Sequence, residues 1–85
     1  MEVVFEASAL EDLQYWKDTN NEAVLRKIRQ LPENILQTPF EGLGKPEALK
    51  HELSGAWSRR ITAEHRIVYK VDKDCIRVFQ LRYHY

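Results

Sequence analysis

Cysteine is almost missing from this sequence: Cys75 is the only one. A single thiol cannot close a disulfide within the chain or build a cysteine-based metal cluster, and it suits a reducing compartment. Long apolar runs are missing as well. Nothing approaches the roughly 20 residues needed to span a bilayer. The opening MEVVFE lacks the charged start and apolar middle of a signal peptide. The setting expected is cytoplasmic, with no membrane contact. Linkers, repeats and low-complexity segments are also lacking, so residues 1–85 read as one domain. A core this small is marginal without staples.

Net charge is absent too, but the balance hides an asymmetry. Residues 59–85 carry seven cations against three anions, a net +4, and residues 1–58 carry six against ten, a net −4. Such a domain can present one basic face to a polyanion. A set of solvated strand faces explains the same charges equally well.

What is present is clear periodicity. MEVVFE is β-branched and strand-like. Ser8 has Glu11 three residues on, the capping-box spacing that opens a helix, and Leu10, Leu13 and Trp16 share one face of it. Val24, Ile28, Leu31 and Ile35 then repeat at helical spacing. Pro32 falls inside that repeat and predicts a kink or split. TPFEGLGKPEALKHELSG concentrates glycine and proline and reads as a structured loop with a short strand or turn near its end. WSRRIT, HRIVYKV and CIRVFQLRYHY alternate as strands, with hairpin-sized links between them. The class expected is α+β, with two N-terminal helices laid across a twisted antiparallel sheet.

The DKD turn predicts an alignment. If residues 72–74 form a three-residue loop, Val71 faces Cys75, Val68 faces Val78 and Arg66 faces Gln80. Arg66, Gln80, Arg82 and His84 then share one face of the tail strand. Ile67, Tyr69, Val71, Phe79 and Leu81 share the other, more apolar face. The first gathers cations beside a group that titrates near neutral pH.

Several chemistries fit poorly. His51, His65 and His84 have no metal-binding spacing, so neither a metal nor a cofactor is expected. No elbow motif frames Ser54 or Ser58, and GLGKP is not a full phosphate-cradling loop. A metal-free ribonuclease needs less, because RNA brings its own nucleophile, the 2′-OH. It needs a base, an acid and cations around the phosphorane. Glu47, His84 and Arg66 can fill these roles, with Lys50 and Arg60 adding positive charge. Tyr85 can stack on a base or orient the phosphate.

TPFEGLGKPEALKHELSGAWSRRITAEHRIVY, followed by the final RYHY, closely resembles the YoeB-like toxins of the RelE-like superfamily in bacterial toxin–antitoxin modules. The likeness spans essentially the whole length. It implies a RelE-like, microbial-ribonuclease-like fold and an mRNA interferase that cuts mRNA in the A site of the 70S ribosome, stopping translation. It makes Glu47 the general base, Arg66 the phosphate stabiliser and His84 the general acid. Tyr85 belongs to the same site, and Lys50 and Arg60 are placed on RNA phosphates; Arg82, set on the face of Arg66 and His84 by strand parity, is expected to bind phosphate as well. The partner implied is a YefM/Phd-type antitoxin, through which the complex binds operator DNA, and a homodimer is also implied. Departures from the family pattern, Pro32 and the less basic residues 34–37, lie outside the site.

Plainer readings stand beside these. Glu47 can pair with Lys45 or Lys50, and Arg66 with Glu64 or Asp72. His51 and His65 read as structural, and Trp16, Trp57 and Tyr69 as core aromatics. Cys75 reads as a small buried strand residue. Two other functions compete: a RelE-like module that binds without cutting, and a ribonuclease that works without the ribosome. The matched Glu47, Arg66 and His84 set speaks against the first.

Overall fold

The computed structural model describes residues 1–84. The elements run β1 (Glu2–Phe5), α1 (Ala7–Asp18), α2 (Glu22–Gln37), β2 (Glu47–Ala48), a 3₁₀ turn (His51–Leu53), β3 (Trp57–Arg60), β4 (Arg66–Val71) and β5 (Cys75–Gln80). The class is α+β, as the patterning implies. The strands form one sheet in the order β1-β5-β4-β3-β2. From β2 to β5 every pairing is antiparallel, but β1 runs parallel to β5, so the sheet is mixed. Parallel neighbours need a long crossover. Here the whole chain between β1 and β5 supplies it, which is why no local pattern announces the pairing. Among the described residues no helix is long and apolar enough to cross a membrane.

Both helices cover one face of the sheet. Ala9, Trp16, Val24, Ile28, Leu31 and Ile35 meet Ile61, Ile67, Tyr69, Ile76, Val78 and Leu81 in the main core. The other face carries only a small cluster of Leu49, Ala56 and Val68. The α2 stripe is the one the periodicity predicts. Asn21 caps the helix by accepting from the Val24 N–H at 3.2 Å. Pro32 neither splits nor ends it, since the helix runs unbroken from Glu22 to Gln37 with Pro32 buried. Burial of the ring and the flanking apolar stripe offsets the hydrogen bond that proline cannot donate.

In α1 two expectations fail. The N-cap is Glu6, and Ser8 sits in the first turn, where its hydroxyl donates to the Phe79 carbonyl at 2.6 Å. A serine at that offset is drawn to a free strand carbonyl instead of its own helix. Leu10 is 52% exposed, because the buried stripe follows Ala9, Leu13 and Trp16.

The β4–β5 turn also differs from the expected loop. The Asp72 N–H donates to the Cys75 carbonyl at 2.8 Å, while the Asp72 carboxylate accepts from the Lys73 N–H. Val71 therefore pairs with Ile76, Lys70 with Arg77 and Tyr69 with Val78, one residue away from the predicted register. Further along the offset grows to two residues, which returns the side chains to their expected faces. Val68 pairs with Gln80, so Phe79 is an extra residue in β5, a bulge. Phe79 is thereby removed from the apolar face, while Leu81 reaches the core. The strand ends at Gln80, and residues 81–84 leave the ladder instead of continuing it.

Candidate active site

The exposed sheet face brings a carboxylate, two guanidinium groups and an imidazole together. Glu47 on β2 lies opposite Ser58 on β3, and Arg60 on β3 lies opposite Arg66 on β4. Paired residues share a face and alternate residues return to it. Glu47, Ser58, Arg60 and Arg66 are therefore on one side, away from the helices. With Lys45, Pro46 and His84 they line a cleft of about 430 Å³.

Arg66 is only 7% exposed. Its Nη1 donates to the carbonyls of Thr62, Ala63 and His65 at 2.9, 3.0 and 3.1 Å. These carbonyls belong to the β3–β4 turn, which the Ile61 N–H closes by donating to the His65 carbonyl at 2.9 Å. The guanidinium is thus fixed by backbone and pairs with neither Glu64 nor Asp72. The latter carboxylate is held by Arg77 at 3.2 Å. Two arginines directly opposite one another repel. An anion between them would relieve that repulsion, which is the chemistry such a pair offers.

The loop that delivers Glu47 is fastened by a residue with no candidate role in the sequence reading. Arg59 is fully buried on the helix side of β3. Its Nη1 donates to Asn34 Oδ1 and the Leu43 carbonyl, and its Nη2 to the carbonyls of Thr38 and Glu41. Its Nε donates to the Tyr69 hydroxyl at 3.1 Å, and that hydroxyl donates to the Pro39 carbonyl at 2.7 Å. Burial raises the Tyr69 pKa, and the Arg59 bond opposes that rise only in part. The phenol therefore keeps its proton and its donor role. The signal was available: Trp57, Arg59 and Ile61 alternate in WSRRI, which puts Arg59 on the core face. Gly44 closes the same loop against β3. The Arg60 N–H donates to its carbonyl at 2.6 Å, and a Cβ at Gly44 would lie 3.0 Å from the Arg60 backbone.

Of the predicted site residues, Glu47, Arg60, Arg66 and His84 meet in the cleft. Lys50 lies next to it, lining an adjoining hollow that shares Glu47. Arg82 is not among the lining residues. Its guanidinium carbon sits 3.4 Å from the centre of the Tyr15 ring and 4.4 Å from that of Tyr83, towards α1. Strand parity does not reach Arg82, because β5 ends at Gln80 and the chain has left the ladder before it. Tyr85 lies outside the described residues. Lys45 and Ser58 line the cleft although the sequence reading gave them no role there. The parity of β3, which sets Ser58 beside Arg60, is the signal for the second. Among the described residues no group of three His, Cys, Asp or Glu side chains lies close enough to hold a metal ion.

The model of the YoeB-like toxin of the bacterial type II toxin–antitoxin system matches residues 5–85. The chain belongs to the YoeB-like toxin family. Toxin YoeB of Escherichia coli K12 is 47% identical over 85 residues, all of both chains. The YoeB/ParE toxin from Agrobacterium tumefaciens superposes with a TM-score of 0.94 at 46% identity, covering 100% of each chain. Staphylococcus aureus YoeB has been solved both as a dimer and in a heterotetrameric YoeB–YefM toxin–antitoxin complex. The TM-scores are 0.90 and 0.87 at 41% and 42% identity, over 100% and 98% of this chain and 98% and 95% of those. A YoeB-like toxin fold thus carries the cleft, which Lys45, Pro46 and Glu47 of GKPE, Arg66 of EHR and His84 of the tail help to line.

Proposed function

We propose that this protein is an endoribonuclease, acting as one domain over residues 1–85, that cuts mRNA in the ribosomal A site and so stops translation. The observation that carries the proposal is the single cleft shared by Glu47, Arg60, Arg66 and His84. A surface that only binds RNA needs cations but has no use for a carboxylate set beside an imidazole.

The chemistry follows from the groups present, and no metal step is required. Glu47 accepts the proton of the RNA 2′-OH as that oxygen attacks the neighbouring phosphorus. A five-coordinate phosphorane forms, and Arg66, held rigid by its three carbonyl contacts, stabilises its added charge. The bond to the 5′-oxygen then breaks, and His84 donates a proton to the departing oxygen. The products are a 2′,3′-cyclic phosphate and a 5′-hydroxyl. Arg60 and Lys45 bind the phosphate, Lys50 the adjoining backbone, and Tyr85 a base or the phosphate. Arg82 is given no part in the cleft. Activity requires Glu47 ionised and His84 protonated, which gives a bell-shaped pH profile.

The regulatory partner proposed is a YefM-type antitoxin, in keeping with the S. aureus relative's complex, with operator binding through that antitoxin. A homodimer of the free toxin is proposed on the same ground. The ribosomal substrate places the activity in the cytoplasm.

The test is primer extension on a translated mRNA, comparing the wild-type chain with His84→Ala and running the same mRNA without ribosomes. Cleavage by the wild type alone, and only on ribosomes, is the expected result. Cleavage of bare RNA at the same rate would mean a free-standing ribonuclease. Binding with no cleavage by either protein would make it an interaction module.

A further inference from the structure

The route by which His84 reaches the cleft is unusual. A continuing strand would put Arg82 and His84 on one face; Arg82 instead lies over Tyr15 of α1, and His84, which shares a hollow with it there, also reaches the cleft. The change of direction occurs at Tyr83, a non-glycine residue held at φ +67°. Such a conformation persists only where surrounding contacts over-determine it. Tyr83 is 58% exposed, with its ring against Arg82 and 6.3 Å from that of His65, so burial of the ring does not hold it. Its backbone does. The Tyr83 N–H donates to His65 Nδ1 at 2.8 Å, and its carbonyl accepts from the Arg66 N–H at 3.0 Å and from Gln80 Nε2 at 3.1 Å.

Two residues earlier the tail is gripped again. Trp16 Nε1 donates to the Leu81 carbonyl at 2.8 Å, and the Leu81 N–H donates to Asp12 Oδ2 at 3.0 Å. Trp16 also meets the His65 ring edge-on, with centroids 4.8 Å apart. One unit built from α1 and the β3–β4 turn thus holds the backbone on both sides of Arg82. None of Asp12, Trp16 and His65 lines the cleft.

We propose that His65 and Asp12 are positioning residues for His84, acting through the backbone of Tyr83 and Leu81. His65 serves as a hydrogen-bond acceptor, with Nδ1 unprotonated, and sets the left-handed turn. Asp12, with Trp16, sets where that turn begins. The inference rests on His84 being the general acid.

The test compares His65→Leu with His65→Asn, whose amide oxygen can replace Nδ1 as acceptor, and Asp12→Ala with Asp12→Asn. Asp12 sits on a half-buried helix face, so its variants keep the test open if a His65 variant does not fold. Two readouts are taken: kcat and KM for cleavage of ribosome-bound mRNA, and amide exchange of Tyr83 and Leu81 by NMR. In His65→Leu and Asp12→Ala we expect kcat to fall about 10–100-fold with KM unchanged. The amide that lost its acceptor should exchange at least about tenfold faster. The Asn variants should recover most of both. Unchanged kcat together with unchanged protection would overturn the proposal. A rise in KM alone would also overturn it, by making these residues RNA contacts. If the wild-type chain cuts nothing, the ribonuclease reading fails, and the exchange data still decide whether these side chains hold the turn.

Discussion

Removing the Arg59 side chain should cost more stability than any other single truncation on β3. The guanidinium makes five hydrogen bonds in a fully buried position: to Asn34 Oδ1, to the carbonyls of Leu43, Thr38 and Glu41, and to the Tyr69 hydroxyl. Each is worth about 0.5–1.5 kcal/mol net, and truncation also strands acceptors without donors. Summed bonds overstate the effect, because the loop can relax towards water. Losses on breaking a buried charged network run to about 3–5 kcal/mol, and Arg59→Ala belongs in that range. An 85-residue chain has a total stability of about 4–13 kcal/mol at the usual per-residue scale. The substitution thus removes a large share of it.

The assay is urea unfolding followed by tryptophan fluorescence. Trp57, whose ring is 4.9 Å from that of Phe40 in the same loop, reports the loop directly. With a slope near about 1 kcal/mol per molar urea, the midpoint should fall by about 3 M or more. Arg59→Lys keeps the charge but concentrates its donors at one point and cannot span acceptors on four residues and a phenol. It should lose about 2–3 kcal/mol. A loss below about 1 kcal/mol for Arg59→Ala, at unchanged slope, would refute the view that this side chain holds the Glu47 loop.

Glu47→Gln keeps the shape of the base and removes its basicity, so single-turnover cleavage should fall about 10²–10⁴-fold while ribosome binding is retained. Gly44→Ala forces a Cβ to 3.0 Å from the Arg60 backbone at φ +81°; it should lower the melting temperature and reduce cleavage together, which calorimetry and the same assay will show. The Asp72 carboxyl is held below its ordinary range by the Lys73 N–H and then by Arg77. A depressed carboxyl contributes stability above its unfolded pKa, about 3.9, and loses it as pH falls through the folded value, so the melting-temperature gap between wild type and Asp72→Asn should close below about pH 4. The Tyr69 phenol shifts the other way: its contribution is complete below about pH 10 and is lost above, so the wild-type advantage over Tyr69→Phe should shrink in alkaline melts.

Much of this was legible in the residues, for physical reasons. The α2 stripe and the alternation in WSRRIT and HRIVYKV are local patterns, and burial follows them. Glu47, Arg60 and Arg66 come together because antiparallel neighbours carry aligned residues onto one face, a rule that needs only the register of short hairpins. The failures are non-local. β1 pairs with β5 across most of the chain, and Ser8 serves a carbonyl 71 residues away instead of its own helix. The DKD turn shifts the register by one residue and the Phe79 bulge by a second; two steps return side chains to their expected faces, so Leu81 reaches the core in a register other than the expected one. The same parity sets Arg82 on the cleft face, but β5 ends at Gln80 and the rule does not extend to it.

These failures share a consequence for how the site is built. The sheet alone supplies Arg60 and Arg66, both held on paired strands. It holds Glu47, the proposed base, only at its short edge strand, and it does not hold His84, the proposed acid. Glu47 arrives on a two-residue strand after a glycine-containing loop, and His84 arrives on a segment that has already left the sheet. Short strands and loose tails are mobile by default, yet acid–base chemistry needs placement to within about 0.5 Å. The helices resolve this. From α2, Asn34 meets the Arg59 guanidinium that also holds the carbonyls of the Glu47 loop. From α1, Asp12 and Trp16 hold the backbone that leads to His84. The layer that buries the apolar face of the sheet therefore also fixes, on the opposite face, the two groups proposed for proton transfer. Buried polar contacts in this small core accordingly fall at Arg59, Tyr69 and Trp16, whose partners lie in the loop before Glu47 and in the backbone before His84.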